Sequence, residues 1–264
     1  QRLEDDKVVP TPEESIVFMY SCIHHSIQQM AGAKLEQREV VFVLGKTGVG
    51  KSTWINYMAG CHMERCSPRT FQLTRLGDLI VAQDEVARIG HTMVSETFLP
   101  QFVQVSDGRV YCDCPGFLDN RGSDLNVANA ANMRNALLQA GRTKLVILIS
   151  YFDLEGKGNG LERTLAACRV LLGGGSELDH YRMSYIVGVT KTPAGVSLES
   201  IRSLLVEAEQ SAPAFQGAGS FADRLFLYDP LDGSADDYWT REQCLRQVDD
   251  LTPIPSRCFA MMLS

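Results

Sequence analysis

The sequence predicts a three-layer α/β domain whose sheet is mainly parallel with one antiparallel strand. Three observations carry that expectation. Apolar strand-like runs alternate with helix-like segments along most of the 264 residues. Those runs are nearly continuous in Val, Ile, Leu and Phe, as strands covered on both faces are. Two of them are separated only by Ser106-Asp107-Gly108, a turn too short for a helical crossover, so that pair is antiparallel.

Taken in order, residues 1–14 are polar, contain Pro10 and Pro12, and read as a linker. Over 15–37, Ile16, Met19, Tyr20, Ile23, Ile27 and Met30 recur at roughly helical spacing. An amphipathic N-terminal helix is expected there, packed on the domain that follows. Strand runs then fall at 39–45 (EVVFVLG), 97–105 (TFLPQFVQV), 109–116 (RVYCDCPG), 144–150 (KLVILIS), 183–190 (MSYIVGVT) and 224–230 (RLFLYDP). Helix-like segments fall at 51–59, 124–140, 160–172, 197–209 and 238–249. No composition break or repeat divides this stretch, so one domain over 38–250 is expected, with 251–264 as a tail leading into further sequence.

Composition sets the outer limits. With 45% hydrophobic residues the chain can bury a substantial core. A formal charge of −7 excludes a general affinity for nucleic acid, whose binders carry a basic face. No run approaches the length of a membrane span, and the N-terminus lacks the apolar stretch of a signal peptide. The chain begins at Gln1 rather than Met and is expected to belong to a longer polypeptide, which leaves membrane attachment open. The eight cysteines are scattered, several inside apolar runs, as reduced thiols of a cytoplasmic protein would be.

The chemistry concentrates at GKTGVGKS, which is Gly45, Lys46, Thr47, Gly48, Val49, Gly50, Lys51 and Ser52, followed by Thr53. Every fixed position of G-x-x-x-x-G-K-[ST] is filled, between an apolar strand and a helix, which is the context the motif requires. Glycines let backbone N–H groups turn toward phosphate oxygens, and the helix beginning near Lys51 adds its positive end. Lys51 is expected on the β and γ phosphates, and the Ser52 hydroxyl on Mg²⁺. A triphosphate site also needs a carboxylate at the end of a neighbouring strand for the magnesium shell. Asp113 stands directly after an apolar run, with Gly116 three residues on, placed to offer its N–H to a γ phosphate.

GKTGVGKST, DCPG and the antiparallel hairpin ahead of Asp113 together resemble the translation-factor-related P-loop GTPases. Within that class the chain is most similar to the group of septins, immunity-associated GTPases (GIMAP or IAN) and chloroplast import receptors. The resemblance covers about residues 38–250. It implies a G domain that binds GTP or GDP with Mg²⁺, hydrolyses slowly, and uses the bound nucleotide to control self-association, as a homodimer, or the binding of another protein. It also implies a switch threonine ahead of the hairpin that joins the magnesium shell. Candidates are Thr97, then Thr92, with Ser95 between them in GHTMVSETF.

Two departures stand against that pattern. A guanine site is expected to carry N/T-K-x-D after the fifth strand, and Thr190 and Lys191 are in place, but Pro193 stands where the aspartate belongs. Asp229 or Asp232 after the sixth strand, or a partner subunit, could supply the missing carboxylate. Phe117 occupies the position of the water-orienting glutamine that many small GTPases have. Any catalytic group must then come from Asp119, Asn120, Arg121, His91 or a neighbouring chain. Two readings remain: a slow GTPase switch, or a structural nucleotide-binding module with little hydrolysis that could accept ATP.

Overall fold

The computed structural model describes residues 35–71, 78–90, 99–116, 123–155, 159–172, 177–231 and 237–262, with positions 11, 13, 14, 16, 17, 20, 21, 24 and 28 of the N-terminal segment. Among these residues the chain forms a mixed, mainly parallel eight-stranded sheet with helices on both faces. The main path runs β4-β5-β1-β6-β7-β8-β9, where β1 is Glu39–Leu44, β4 Gln101–Gln104, β5 Val110–Asp113, β6 Arg142–Ser150, β7 Tyr185–Thr190, β8 Leu225–Tyr228 and β9 Tyr238–Trp239. Strand β1 sits between β5 and β6 and is parallel to both, with Val43 beside Asp113 and Val146. The expected hairpin is present: β4 and β5 are antiparallel, with Gln101 opposite Asp113, and Gly108 turns at a φ of 90°.

The continuous apolar runs have their reason in this layering. In β1, Val40, Phe42 and Leu44 enter one core while Val41 and Val43 enter the other. The first core lies under α2 (Ser123–Gln139), α4 (Asn159–Leu172), α6 (Leu198–Ser211), α7 (Ala218–Ala222) and α9 (Ser256–Met262). The second lies under α1 (Lys51–Ala59) and α8 (Arg241–Asp249), with Trp54 set edge-on to Tyr111 and Trp239 stacked on Phe226. Two short helices, α3 (Tyr151–Glu155) and α5 (Glu177–His180), complete the connections. Local signals place the helix starts: Ser197 caps α6 through the Ser200 N–H, and Thr240 with Gln243 forms a reciprocal capping box on α8.

Two elements differ from the sequence expectation. A separate two-stranded hairpin joins β2 (Met63–Cys66) to β3 (Leu79–Ala82), where no strand pair was legible. Packed structure continues past residue 250: β10 (Ile254–Pro255) pairs antiparallel with the start of β6, and Phe259 of α9 is fully buried, so 251–262 is not a free tail. From Glu13 on the described N-terminal positions are helical, with Thr11 and Glu14 in mutual hydrogen bonds at the start, and Ile16 and Tyr20 are 61% and 70% exposed. Met19, Ile23, Ile27 and Met30 of the expected apolar face lie outside the described residues. No helix among the described residues is long and apolar enough to cross a membrane.

Candidate functional site

Residues singled out from the sequence lie at the carboxyl ends of β1, β5, β7 and β8, the edge at which open α/β sheets hold ligands. The loop Gly45–Gly50 leaves β1 with three left-handed glycines, φ of 147° at Gly45, 76° at Gly48 and 107° at Gly50. At Gly45 the requirement is also steric, because a Cβ would lie 2.6 Å from the Leu148 carbonyl oxygen and 2.8 Å from Val49 Cγ1. Val49 is fully buried, which anchors the middle of the loop. Gly50 then serves as the N-cap of α1, so the helix opens at Lys51, Ser52 and Thr53 with its N–H groups facing the loop.

Lys51 is buried, and its ammonium donates to the carbonyls of Gly45 (3.2 Å) and Lys46 (3.1 Å). The Ser52 hydroxyl donates to Asp113 Oδ2 at 2.6 Å. Asp113 is itself almost fully buried, and its second oxygen, Oδ1, has no hydrogen-bond partner. Burial raises the carboxyl above its ordinary range, while the charge of Lys51 and the Ser52 hydroxyl pull it back down. A buried carboxylate oxygen without a partner, beside a hydroxyl, is an all-oxygen donor set that fits a hard divalent cation such as Mg²⁺.

Gly116 lies directly on the loop. A Cβ there would meet the Thr47 hydroxyl at 2.2 Å and the Thr47 amide nitrogen at 2.5 Å. The Thr47 hydroxyl is buried and has no hydrogen-bond partner. On the other side, the Thr190 hydroxyl donates to the Val49 carbonyl at 2.8 Å, and Lys191, at a left-handed φ of 57°, reaches the Gly48 carbonyl at 2.7 Å. The end of β7 is thereby fastened to the loop. Asp229 sits at the end of β8, where its Oδ1 accepts from the Leu231 N–H at 2.9 Å.

Thr92, Ser95, Thr97 and His91, together with Phe117, Asp119, Asn120, Arg121 and Asp232, lie outside the described residues. Two site-lining residues carried no signal in the sequence reading. Asp153, in α3 just after β6, forms an ion pair with Lys46. Asn56, fully buried in α1, accepts from the N–H groups of Val86 and Ala87 and donates to the Ser52 and Ala87 carbonyls. It ties the helix that carries Lys51 and Ser52 to the loop before residue 91.

No protein-family model matches the chain. No curated protein matches it either. Among solved structures it is similar to the GDP-bound G-domain of FeoB from S. thermophilus, in an alanine-to-serine mutant, at 13% identity over 85% of this chain and 90% of that one. The TM-score of that comparison is 0.21, too low for anything to rest on it.

Proposed function

We propose that the chain binds a guanine nucleoside di- or triphosphate with Mg²⁺ and acts as a slowly hydrolysing switch that controls self-association or the binding of a protein partner. The observation that carries this reading is the pairing of the Ser52 hydroxyl with a buried Asp113 that keeps one oxygen unpartnered, at the end of a glycine loop. Lys51 and the N–H groups of Gly48 to Ser52 would hold the phosphates. Ser52 and Asp113 would orient the Mg²⁺ shell, and the ion would neutralise charge on the β and γ oxygens. Gly116, lying against Thr47, would move with its turn when a γ phosphate enters. Thr97 or Thr92 would complete the magnesium shell from the preceding segment.

For the base, Lys191 lies against the loop and Thr190 beside it, while Asp229 or Asp232 would replace the carboxylate that Pro193 displaces. A purine donor left unpaired costs about 1–3 kcal/mol. GTP should therefore be preferred over ATP by a modest factor, about tenfold for each ~1.4 kcal/mol that survives. With Phe117 in place of glutamine, turnover of dilute protein should be on the order of 10⁻⁴ s⁻¹. If a second copy supplies the missing group, the rate per molecule should rise with protein concentration.

Three measurements test this: identification of the nucleotide that co-purifies, competition of ATP against labelled GTP, and hydrolysis over a wide concentration range. A bound triphosphate that survives purification, with no hydrolysis at any concentration, would favour the structural-module reading that Phe117 already suggests. Strict discrimination against ATP with fast, concentration-independent turnover would show that other residues of this chain have taken over both roles.

A further inference from the structure

The phosphate loop is pinned at two points, and the second pin lies outside the motif. From β7, Thr190 and Lys191 hold the carbonyls of Val49 and Gly48. From β6, the loop is met by Leu148, whose carbonyl leaves no room for a Cβ at Gly45, and by Asp153, whose carboxylate takes the Lys46 ammonium. The Asp153 side chain is only 10% exposed, whereas that of Lys46 is 44% exposed. Gly160, in the first turn of α4, closes over the carboxylate: a Cβ there would lie 2.4 Å from Asp153 Cγ. Asp153 is thus walled in by α4 on one side and satisfied by one loop lysine on the other.

We propose that Asp153 is a positioning residue for the phosphate loop, holding the Lys46 ammonium away from the phosphates so that backbone N–H groups and Lys51 receive them. A carboxylate this enclosed is costly without its cation, so the pair fixes where the first half of the loop can go. Lys46 is free of any motif constraint at its position, and its charge is committed to the scaffold rather than to ligand. The loop is then preorganised by two independent contacts, one from the end of β7 and one from the segment after β6, before nucleotide arrives.

This rests on the nucleotide-site reading above, and the test separates the two. Affinities of GDP and of a non-hydrolysable GTP analogue, each with Mg²⁺, are measured by calorimetry for the unaltered chain and for Asp153→Asn, Lys46→Met, the double variant and Lys46→Arg. Melting curves fix the temperature at which every variant is folded. Asp153→Asn and Lys46→Met should each weaken both nucleotides by the same factor, about tenfold. The double variant should be no worse than either single one, because both remove one contact. Lys46→Arg, which keeps the pair, should restore most of the affinity, a result that a general loss of packing would not give. Unchanged or tighter binding by Asp153→Asn, with Lys46→Met losing only the triphosphate, would make Lys46 a γ-phosphate ligand and overturn the inference alone. Failure of the unaltered chain to bind either nucleotide would overturn the site reading with it.

Discussion

Lys51→Ala is expected to lower triphosphate affinity by at least about a hundredfold while the domain stays folded. The ammonium is held by the carbonyls of Gly45 and Lys46 at 3.2 and 3.1 Å, beside a loop with left-handed glycines at 45, 48 and 50. Charge-assisted hydrogen bonds to phosphate are roughly twice as strong as neutral ones, and a loss of ~2.8 kcal/mol is about a hundredfold. Removing Lys51 also takes its donor from the Gly45 carbonyl, at about 1 kcal/mol, while the Lys46 carbonyl keeps the Val49 N–H, a loss that a domain with two extensive cores can absorb. Ser52→Asn should have a comparable effect by a different route. It deletes the hydroxyl that donates to Asp113 and places an amide against the same carboxylate. Calorimetric titration with Mg²⁺ present, together with circular dichroism melts, checks both. Unaltered affinity in either variant would remove the phosphate-loop reading.

How far the site could be read from the sequence follows from how local each signal is. Gly45 to Ser52 are contiguous, and their φ values are what glycine at those positions was expected to allow. The β4–β5 hairpin was fixed by a three-residue connection, which leaves no other geometry. By contrast, Lys46 and Asp153 are 107 positions apart, and nothing in the neighbourhood of either announces the other. Asn56 resembles any polar residue in a helix until the loop at Val86 and Ala87 folds onto it. Strands β9 and β10 are two residues long, below the length at which alternation is visible. In β2 only Met63 is buried, so MERC carries no strand pattern at all. At the N-terminus most of the expected apolar face lies outside the described residues. Ile16 and Tyr20 sit at helical spacing, yet both are exposed, because periodicity fixes which face is apolar and not what covers it.

Asp113→Asn is expected to separate binding from stability, with opposite signs. The carboxyl is raised above its ordinary value of 3.8, first by burial, with Lys51 and Ser52 acting against that. The folded chain therefore holds a proton at Asp113 more tightly than the unfolded chain does. Stability from that proton is fully present below pH 3.8 and is lost as the pH rises through the elevated folded value, so at neutral pH the ionised side chain weakens the fold. An asparagine has nearly the same shape, carries no charge to desolvate, and can still accept from the Ser52 hydroxyl through its amide oxygen. In magnesium-free buffer the variant should melt higher, by about 2–4 °C for each ~1 kcal/mol relieved. The decline of melting temperature with pH just above 3.8 should flatten in the same samples. The magnesium-dependent part of triphosphate affinity should fall by about a hundredfold, since the amide offers a hard cation no negative charge. A variant that melts lower at neutral pH would mean that Lys51 compensates the buried charge in full. One that melts higher and still binds with full magnesium dependence would take Asp113 out of the metal shell.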